Sequence, residues 1–398
     1  MSDVRKAPLA DLFSADEQHA LVELRHDLHR RPELSSAEHR TASRLEQALA
    51  PLHPKALTRV AGTGVVARIA GTDPSAPTVA LRGDIDALPI QEDTGLPFSS
   101  EVSGVMHACG HDVHATWVVG AAMLLTRRPA TGDVVILLQP AEETGRGALA
   151  MIEGGALDGV RAIFAGHVDR RFVVGQVVAD AGPVAAAADT FEVELLGSGA
   201  HGARPHEARD PIVAAGTLIT ALQTIVSRRL NPSTPAVVSL GSVHGGTAPN
   251  VIPGAVTLTG TLRATDPATR ALLHGEVERI AAGVAAAHGL EVRVAIEQGP
   301  PPVVNPAESI VWARKAASTL LGAGSLVPFG IVNLAGEDFA WYLEKVPGCF
   351  LRIGAREPNG AVIPAHSPKF FAADEAIFVG AAVLAETARV AARELHER

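Results

Sequence analysis

The pattern of apolar and polar positions first predicts a helical region at about 16–52, in which leucines recur on one face. Apolar runs bounded by glycine and proline follow, among them GTGVVARIAG, DVVILLQ and VRAIFAGHV, and helical segments separate them. Buried strands that alternate with helices are typical of a mainly parallel sheet. We therefore expect an α/β fold with a mainly parallel central sheet and helices on both of its faces.

The pattern changes at about residue 184. FEVELLGSG alternates apolar and polar positions, as a half-solvated antiparallel strand does, and the elements that follow complete the order β-α-β-β-α-β. This order predicts an inserted, smaller ferredoxin-like α+β domain at 184–296. The proline-rich GPPPVVNP leads the chain back, so that 1–183 and 297–398 form the two parts of the first domain.

Composition narrows the possible partners. The 398 residues carry a formal net charge of −9 without lysine or arginine clusters, which argues against nucleic acid and anionic membranes. No apolar run is long enough for a signal peptide or a membrane span, so we expect a cytoplasmic protein. The two cysteines, Cys109 and Cys349, suit free thiols in a reducing compartment, although a single bridge between them stays an alternative.

The stretch MHACGHDVHATW concentrates candidate metal ligands. In an extended segment His107, Cys109 and His111 would leave the backbone on one side. Thiolate and imidazole are ligands that zinc and manganese-type sites recruit, and Asp112 is placed to cap the following helix. The alternative is a helix start with a buried cysteine and surface histidines. Two earlier histidines, His26 and His29, are interpreted as part of a solvated helix face.

Carboxylate and imidazole groups also follow several predicted strands. In open α/β sheets, ligands bind beyond the carboxyl ends of the strands. Four strand ends that each deliver such groups favour a metal site together with Cys109 and His111. The groups at these strand ends are Asp84 and Asp86, Glu142 and Glu143, His167, and His366.

The two adjacent glutamates suggest two separate chemical roles. The side chains of Glu142 and Glu143 diverge on an extended turn, so one can bind metal while its neighbour carries a proton. A metal lowers the pKa of a water molecule, which one glutamate then deprotonates for attack on a carbonyl. The alternative is a solvated acidic pair at the start of a helix.

With these motifs the sequence resembles a known family of metal-dependent amidohydrolases. This family includes hippurate hydrolases, N-acyl-amino-acid amidohydrolases, N-acetyldiaminopimelate deacetylases and plant indole-3-acetyl-amino-acid hydrolases, within the larger group of dinuclear zinc aminoacylases and carboxypeptidases. The resemblance spans nearly the whole chain. Its motifs are RHDLHRRPELS, RGDIDALPI, MHACGHDVHAT, QPAEE, GHV, HGARPHEARDPI, GGTAPNVIP, GTLRA, GEDFAWYLEKVPG and HSPKF.

The resemblance implies a set of site residues. It implies two divalent metal ions per subunit, manganese or zinc with cobalt or nickel as alternatives, and Glu142 as general base. It also implies that polar residues of the inserted domain meet the substrate, often across a homodimer formed by that domain. The implied metal ligands are Cys109, His111, Glu143, His167 and His366, and the implied substrate contacts are His201, Asn250 and Arg263.

The sequence departs from the family pattern in three places. Val113 stands where the family usually has glycine, and 169–171 reads Asp-Arg-Arg where a Trp-Pro-like pair is usual. These departures flank the site and bear on substrate choice. Position 84 is aspartate where distant relatives have a ligating histidine, so we expect Asp84 or Asp86 to orient a ligand imidazole.

The resulting hypothesis is a metal-dependent hydrolase that cleaves the amide bond of N-acyl amino acids. One alternative is a metallo-carboxypeptidase or dipeptidase that acts on small peptides. A second makes Cys109 a nucleophile activated by His111 or His114, which leaves the other predicted ligands without a role. A third is a metal-stabilised binding protein without catalysis, which no feature of the sequence supports.

Overall fold

A computed structural model of the chain describes residues 8–331 and 333–398. Among these residues the chain forms two compact units. The first comprises the chain up to Gly182 together with Asn305–Ile331 and Asp338–Arg398, and the second comprises Pro183–Val304 with the short stretch 333–337.

The helices and strands are numbered in chain order. The helices are α1 (Ala15–Arg30), α2 (His39–Leu49), α3 (His111–Arg127), α4 (Gly147–Glu153), α5 (Pro211–Thr224), α6 (Pro267–His288), α7 (Ala307–Leu321), α8 (Ala340–Leu343) and α9 (Glu375–His396). The strands are β1 (Ala56–Val60), β2 (Gly64–Ile69), β3 (Thr78–Asp84), β4 (Val134–Gln139), β5 (Val160–Val173), β6 (Val177–Val178), β7 (Gly182–Ala185), β8 (Ala187–Leu196), β9 (Ala200–His201), β10 (Ala236–His244), β11 (Val251–Ile252), β12 (Ala255–Ala264), β13 (Glu291–Glu297), β14 (Val303–Asn305) and β15 (Gly348–Arg356).

The central sheet of the first unit has the order β1-β2-β4-β3-β5-β15-β6. Its inner strands β4, β3, β5 and β15 are parallel, whereas β1, β2 and β6 add antiparallel edges. Every residue of β4 is buried, which requires cover on both faces of the strand. The predicted α/β fold with a mainly parallel sheet is confirmed.

The carboxyl ends of β3 and β4 lie side by side at one edge of this sheet. Asp84, the last residue of β3, pairs with Gln139, the last residue of β4. The helix α3 starts at His111 after Gly110, whose φ of 91° is readily adopted only by a residue without a side chain. Sheet register and this helix start therefore bring distant sequence motifs to one place.

The second unit repeats the predicted element order. Its antiparallel sheet has the order β10-β12-β8-β13, and α5 and α6 bury apolar residues such as Leu218, Leu222 and Val277 against it. The unit continues to Val304, beyond the predicted end at 296. This difference arises because the return linker groups with the inserted sheet, where the amide of Gly299 donates to the Asp189 carboxylate over 3.0 Å.

One helical stretch, Pro211–Arg229, is long and apolar enough by length and composition to cross a membrane. Its inner residues pack in the core of the second unit, and 33% of the stretch is buried. A core helix satisfies the same criterion, so this single stretch is weak evidence for a membrane segment.

Helix α9 crosses α3 at a glycine, and this close approach generates a prediction. A Cβ atom on Gly380 would lie 2.2 Å from Cε3 of the fully buried Trp117. We therefore expect Gly380→Ala to lower the free energy of unfolding by about 1–3 kcal/mol, because the packed helices must separate. Chemical denaturation of the purified protein measures this change.

The matched control is Gly283→Ala on the exposed side of α6, where a Cβ meets nothing within 4 Å. This variant should be neutral or stabilised by up to about 1 kcal/mol, because alanine is the better helix former. Equal stabilities of the two variants would contradict the packing argument.

Candidate metal centre

The candidate ligands come from four places in the first unit. Cys109 precedes α3, and His111 is its first residue. Glu143 lies in a short 3-10 helix, Glu142–Thr144, which follows β4 through Ala141 in a left-handed conformation with φ 53°. His167 belongs to β5, and His366 lies between β15 and α9 with a positive φ of 65°.

These residues form two groups of donors that share one sulfur. Within each group the donor atoms lie within 4.8 Å of one another. Cys109 Sγ lies 3.3 Å from Nε2 of His167, and Oε1 of Glu143 lies 3.4 Å from Nε2 of His366. The first group is Cys109, His111 and His167, and the second is Cys109, Glu143 and His366.

Hydrogen bonds fix which ring nitrogen each histidine offers. Nδ1 of His111 lies 2.9 Å from the carbonyl oxygen and 3.1 Å from Oδ1 of Asp86, so it carries the proton. Nδ1 of His167 donates to the carbonyl of Val168 over 2.7 Å. Both rings therefore direct an Nε2 lone pair towards the other donors, as metal-ligating histidines do.

Two polar atoms at the centre fit a cation. Nε2 of His111 and Oε1 of Glu143 are buried and make no hydrogen bond of good geometry with the described residues, although Nε2 of His366 lies 3.4 Å from Oε1 of Glu143. Burial of such atoms costs free energy unless something binds them. Thiolate, imidazole and carboxylate groups suit divalent ions of the zinc and manganese type, so the residues present fit two such ions.

Protons compete for the same donors. The Cys109 sulfur and the Glu143 carboxylate beside its ring raise the pKa of His366 to about 10. Burial lowers the pKa of His111, but the Asp84 carboxylate, the hydrogen bond to Asp86 and the Cys109 sulfur together outweigh burial and raise this pKa well above the usual range. Divalent ions would have to displace protons from these rings, so their apparent affinity is expected to decrease as the pH is lowered.

Asp84 anchors a buried network behind these donors. Its Oδ2 accepts a hydrogen bond of 2.6 Å from Arg82, and its Oδ1 lies 2.6 Å from Nδ1 of His114. Burial opposes its ionisation, but the charges of His111 and Arg82 and the hydrogen bond from His114 together outweigh burial and hold its pKa well below the usual range. Because both oxygens have protein partners, Asp84 is suited to orient its neighbours.

His114 already has partners for both ring nitrogens. Its Nε2 accepts a hydrogen bond of 2.9 Å from the backbone amide of Val168, and its Nδ1 donates to Asp84. Burial lowers the pKa of His114. The ring is therefore neutral, and neither nitrogen is available to activate Cys109.

Arg82 extends the network to residues that the sequence argument did not select. Its Nε donates to Gln139 over 2.7 Å and its Nη2 to Asp338 over 2.9 Å. The amide of Asp338 in turn donates to Oε1 of Glu142 over 3.4 Å. The only sequence feature that marks Gln139 and Asp338 is their place in two motifs of the resemblance, QPAEE and GEDFAWYLEKVPG.

Several local interpretations were wrong. His167 lies inside β5, which continues to Val173, because β15 pairs with it beyond that point. His107 is buried away from the two donor groups, and neither of its ring nitrogens has a hydrogen-bond partner in the described chain. Asp112 does not cap α3; its carboxylate accepts from Arg25 over 2.8 Å.

The solvated face predicted for α1 is also wrong. His29 is buried, and its Nδ1 lies 2.9 Å from Oδ2 of Asp112, while His26 is half-buried against Phe98 with ring centroids 3.7 Å apart. The ion pair between Arg25 and Asp112, which are 87 residues apart, buries this face, and the local sequence does not indicate that pair.

The candidate substrate contacts lie in the second unit. His201 on β9 pairs with Val251 on β11, and the carbonyl of the neighbouring Asn250 accepts a hydrogen bond of 2.8 Å from Gly202. The side chains of His201 and Asn250 are exposed. Arg263 on β12 is partly buried, and its guanidinium contacts the hydroxyl of Thr261.

Known proteins resemble the chain over most of its length. Peptidase family M20/M25/M40 matches residues 80–390. N-acetyl-L-cysteine deacetylase of Bacillus subtilis (strain 168) is 41% identical over 93% of this chain and 87% of its own length. Thermostable carboxypeptidase 1 of Saccharolobus solfataricus is 35% identical over 91% of this chain and 92% of its own length.

A solved structure is similar as well. The crystal structure of the YxeP protein of Bacillus subtilis, described as a dinuclear metal binding peptidase from the M20 family, has a TM-score of 0.85 and 36% identity. The match covers 96% of this chain and 99% of that one. These findings confirm the predicted resemblance. The chain belongs to the M20/M25/M40 peptidase family and is a hydrolase that acts on amides.

Proposed function

We propose that this protein hydrolyses the amide bond of N-acyl amino acids to a carboxylic acid and a free amino acid. The observation that carries the proposal is the pair of donor groups that share Cys109, with Glu142 beside them. The names of relatives agree with this class, since one is an N-acetyl-L-cysteine deacetylase and another a putative amidohydrolase.

In this proposal Cys109, Glu143 and His366 would hold one divalent ion, and Cys109, His111 and His167 would hold the other. When bound, the ions supply Lewis-acid activation of water and of the scissile carbonyl. Asp86 keeps the ligand tautomer of His111, because its Oδ1 accepts a hydrogen bond from Nδ1 of His111 over 3.1 Å.

Glu142 is the proposed proton carrier. Its Oε2 lies 3.9 Å from Nε2 of His111, so the carboxylate faces the donors. It takes a proton from the attacking water as the carbon–oxygen bond forms, and it returns this proton to the amine nitrogen as the carbon–nitrogen bond breaks. The amide of Asp338 donates to its other oxygen over 3.4 Å and orients the carboxylate.

Residues of the second unit complete the proposal. His201 donates to the developing oxyanion, while Asn250 and Arg263 bind the free carboxylate of the substrate. The proposed assembly is a homodimer through the second unit, in which His201 serves the partner's site. Exposed positions for His201 and Asn250 support such roles, because neither side chain has a part in the core. The proposed compartment is the cytoplasm, since both cysteines are free thiols.

Two other activities have specific support. The separation of 3.3 Å between Cys109 Sγ and Nε2 of His167 is also compatible with a thiolate nucleophile and its base. Relatives named carboxypeptidase favour small peptides as substrates. A single screen separates these possibilities from the proposed activity.

The first prediction concerns substrate and metal together. Purified protein, stripped with chelator and reloaded with manganese or zinc, should release amino acids from N-acetyl, N-benzoyl or indole-acetyl amino acids and lose activity again with chelator. Dipeptides and C-terminally extended peptides serve as the comparison. Activity that chelator leaves intact would favour the cysteine nucleophile, and preference for peptides would favour the carboxypeptidase.

The second prediction uses the two adjacent glutamates as matched variants. Glu142→Gln should lower kcat by about 10² to 10⁴ with metal content near normal, because it removes the proton carrier alone. Glu143→Gln should lose metal first, because it removes a ligand. Elemental analysis and steady-state kinetics on both proteins check this, and loss of metal in Glu142→Gln instead would reverse the two roles.

The third prediction tests the shared site. Inactive His201→Ala and inactive Glu142→Gln subunits, mixed under conditions of subunit exchange, should regain activity in heterodimers. Arg263→Ala should mainly raise KM, because a charge-assisted bond to the substrate is lost. Verified heterodimers that stay inactive, or an active monomer, would contradict the proposed contribution of His201 across subunits.

A further inference from the structure

The loop between β15 and α9, residues 357–374, carries His366 in a left-handed conformation with φ 65°. A non-glycine residue holds this conformation only when its surroundings enforce it. One such contact is made by the backbone of His366 itself, whose amide donates to the carbonyl of Ala108 over 2.8 Å. The rest of the loop needs an anchor of its own, because long segments without regular structure are otherwise mobile.

That anchor is Arg170 on β5, which is 2% exposed. Its Nη2 donates to the carbonyl of Ala361 over 2.9 Å, and its Nη1 donates to the carbonyl of Phe371 over 2.8 Å. These carbonyls lie five residues before and five residues after His366 (366 − 361 and 371 − 366). One guanidinium therefore ties the two sides of the segment that presents the imidazole.

Further contacts strengthen the grip on the loop. Oε2 of Glu357 lies 3.0 Å from Nη2 of Arg170, and the guanidinium carbon lies 4.2 Å from the ring centroid of Phe371. Arg356 donates from Nε to the carbonyl of Arg170 over 3.0 Å and from Nη1 to the carbonyl of Gly360 over 3.2 Å. The planar, multiple-donor head of arginine suits this arrangement better than any other side chain.

We infer that Arg170 is a positioning residue that fixes the loop so that His366 presents Nε2 to the metal site. It lies in the stretch 169–171, where the sequence departs from the family pattern. The inference rests on the proposed role of His366 as a ligand. Residues that hold a ligand in place typically change metal affinity by 10- to 100-fold when they are replaced.

The test measures metal affinity by competition with a chromophoric chelator, which needs no substrate. Arg170→Met keeps a long apolar side chain and removes every donor, and it should weaken binding of the ion that His366 would hold by about 10-fold or more. The metal affinity of Arg170→Lys should lie between that of Arg170→Met and that of the wild type, because one ammonium group replaces the planar guanidinium. The control is Arg171→Met, an arginine that pairs with Asp169 and should leave affinity unchanged.

A double-mutant cycle shows whether Arg170 acts through His366. His366→Ala alone should lose affinity, and Arg170→Met should add nothing to that loss in the double variant. Additive losses, or wild-type affinity in a folded Arg170→Met protein, would overturn the inference. Unchanged affinity in His366→Ala would instead refute the ligand assignment in the proposed function, so the two failures are distinguishable.

Circular dichroism and thermal unfolding report whether Arg170→Met folds, and a variant on the loop side covers the case in which it does not. A Cβ on Gly360 would lie 2.6 Å from Oε2 of Glu357 and 3.2 Å from Nη2 of Arg170. Gly360→Val should therefore displace the Glu357 carboxylate from Arg170 and crowd Nη2 of Arg170 itself, which weakens metal binding in the same direction. Wild-type affinity in Gly360→Val would then overturn the inference.

Discussion

The burial of charged groups at the carboxyl end of the parallel strands is the constraint on which this structure depends. A buried carboxylate costs several kcal/mol unless it is paired and hydrogen-bonded. Asp84 meets this requirement with Arg82 from its own strand and His114 from α3. Because these pairs join strand to helix, the chemistry of the site and the packing of the fold cannot be varied independently.

The pairing continues outward to the donor atoms. Nε2 of His114 accepts a hydrogen bond from the amide of Val168, the residue next to His167. Asp86 accepts a hydrogen bond from the ring of His111 and so fixes its orientation. Arg170 adds the same kind of control from β5 to the loop of His366. Three histidines from different elements therefore reach the site, and each is held by hydrogen bonds to its ring or to the segment that carries it. Such preorganisation is what distinguishes a working metal site from a group of nearby ligands.

Sequence reasoning succeeded where signals are local. Strand ends, glycine and proline boundaries and the change to an alternating pattern predicted the parallel sheet and the inserted antiparallel one, and both are confirmed. It failed where partners are distant in sequence. The ion pair of Arg25 and Asp112, which are 87 residues apart, buries the face of α1 that looked solvated. The role of Arg170 depends on a loop about 200 residues away in the sequence. Periodicity reports which face of an element is apolar, not which charges another element brings to it.

Anomalous X-ray diffraction from zinc-loaded crystals tests the central claim most directly. We expect two anomalous peaks per chain, about 3.5–4 Å apart, with both ions about 2.3 Å from Cys109 Sγ. One peak should lie beside Glu143 and His366 and the other beside His111 and His167. A single peak at full loading, or two peaks of which neither contacts Cys109, would contradict the account.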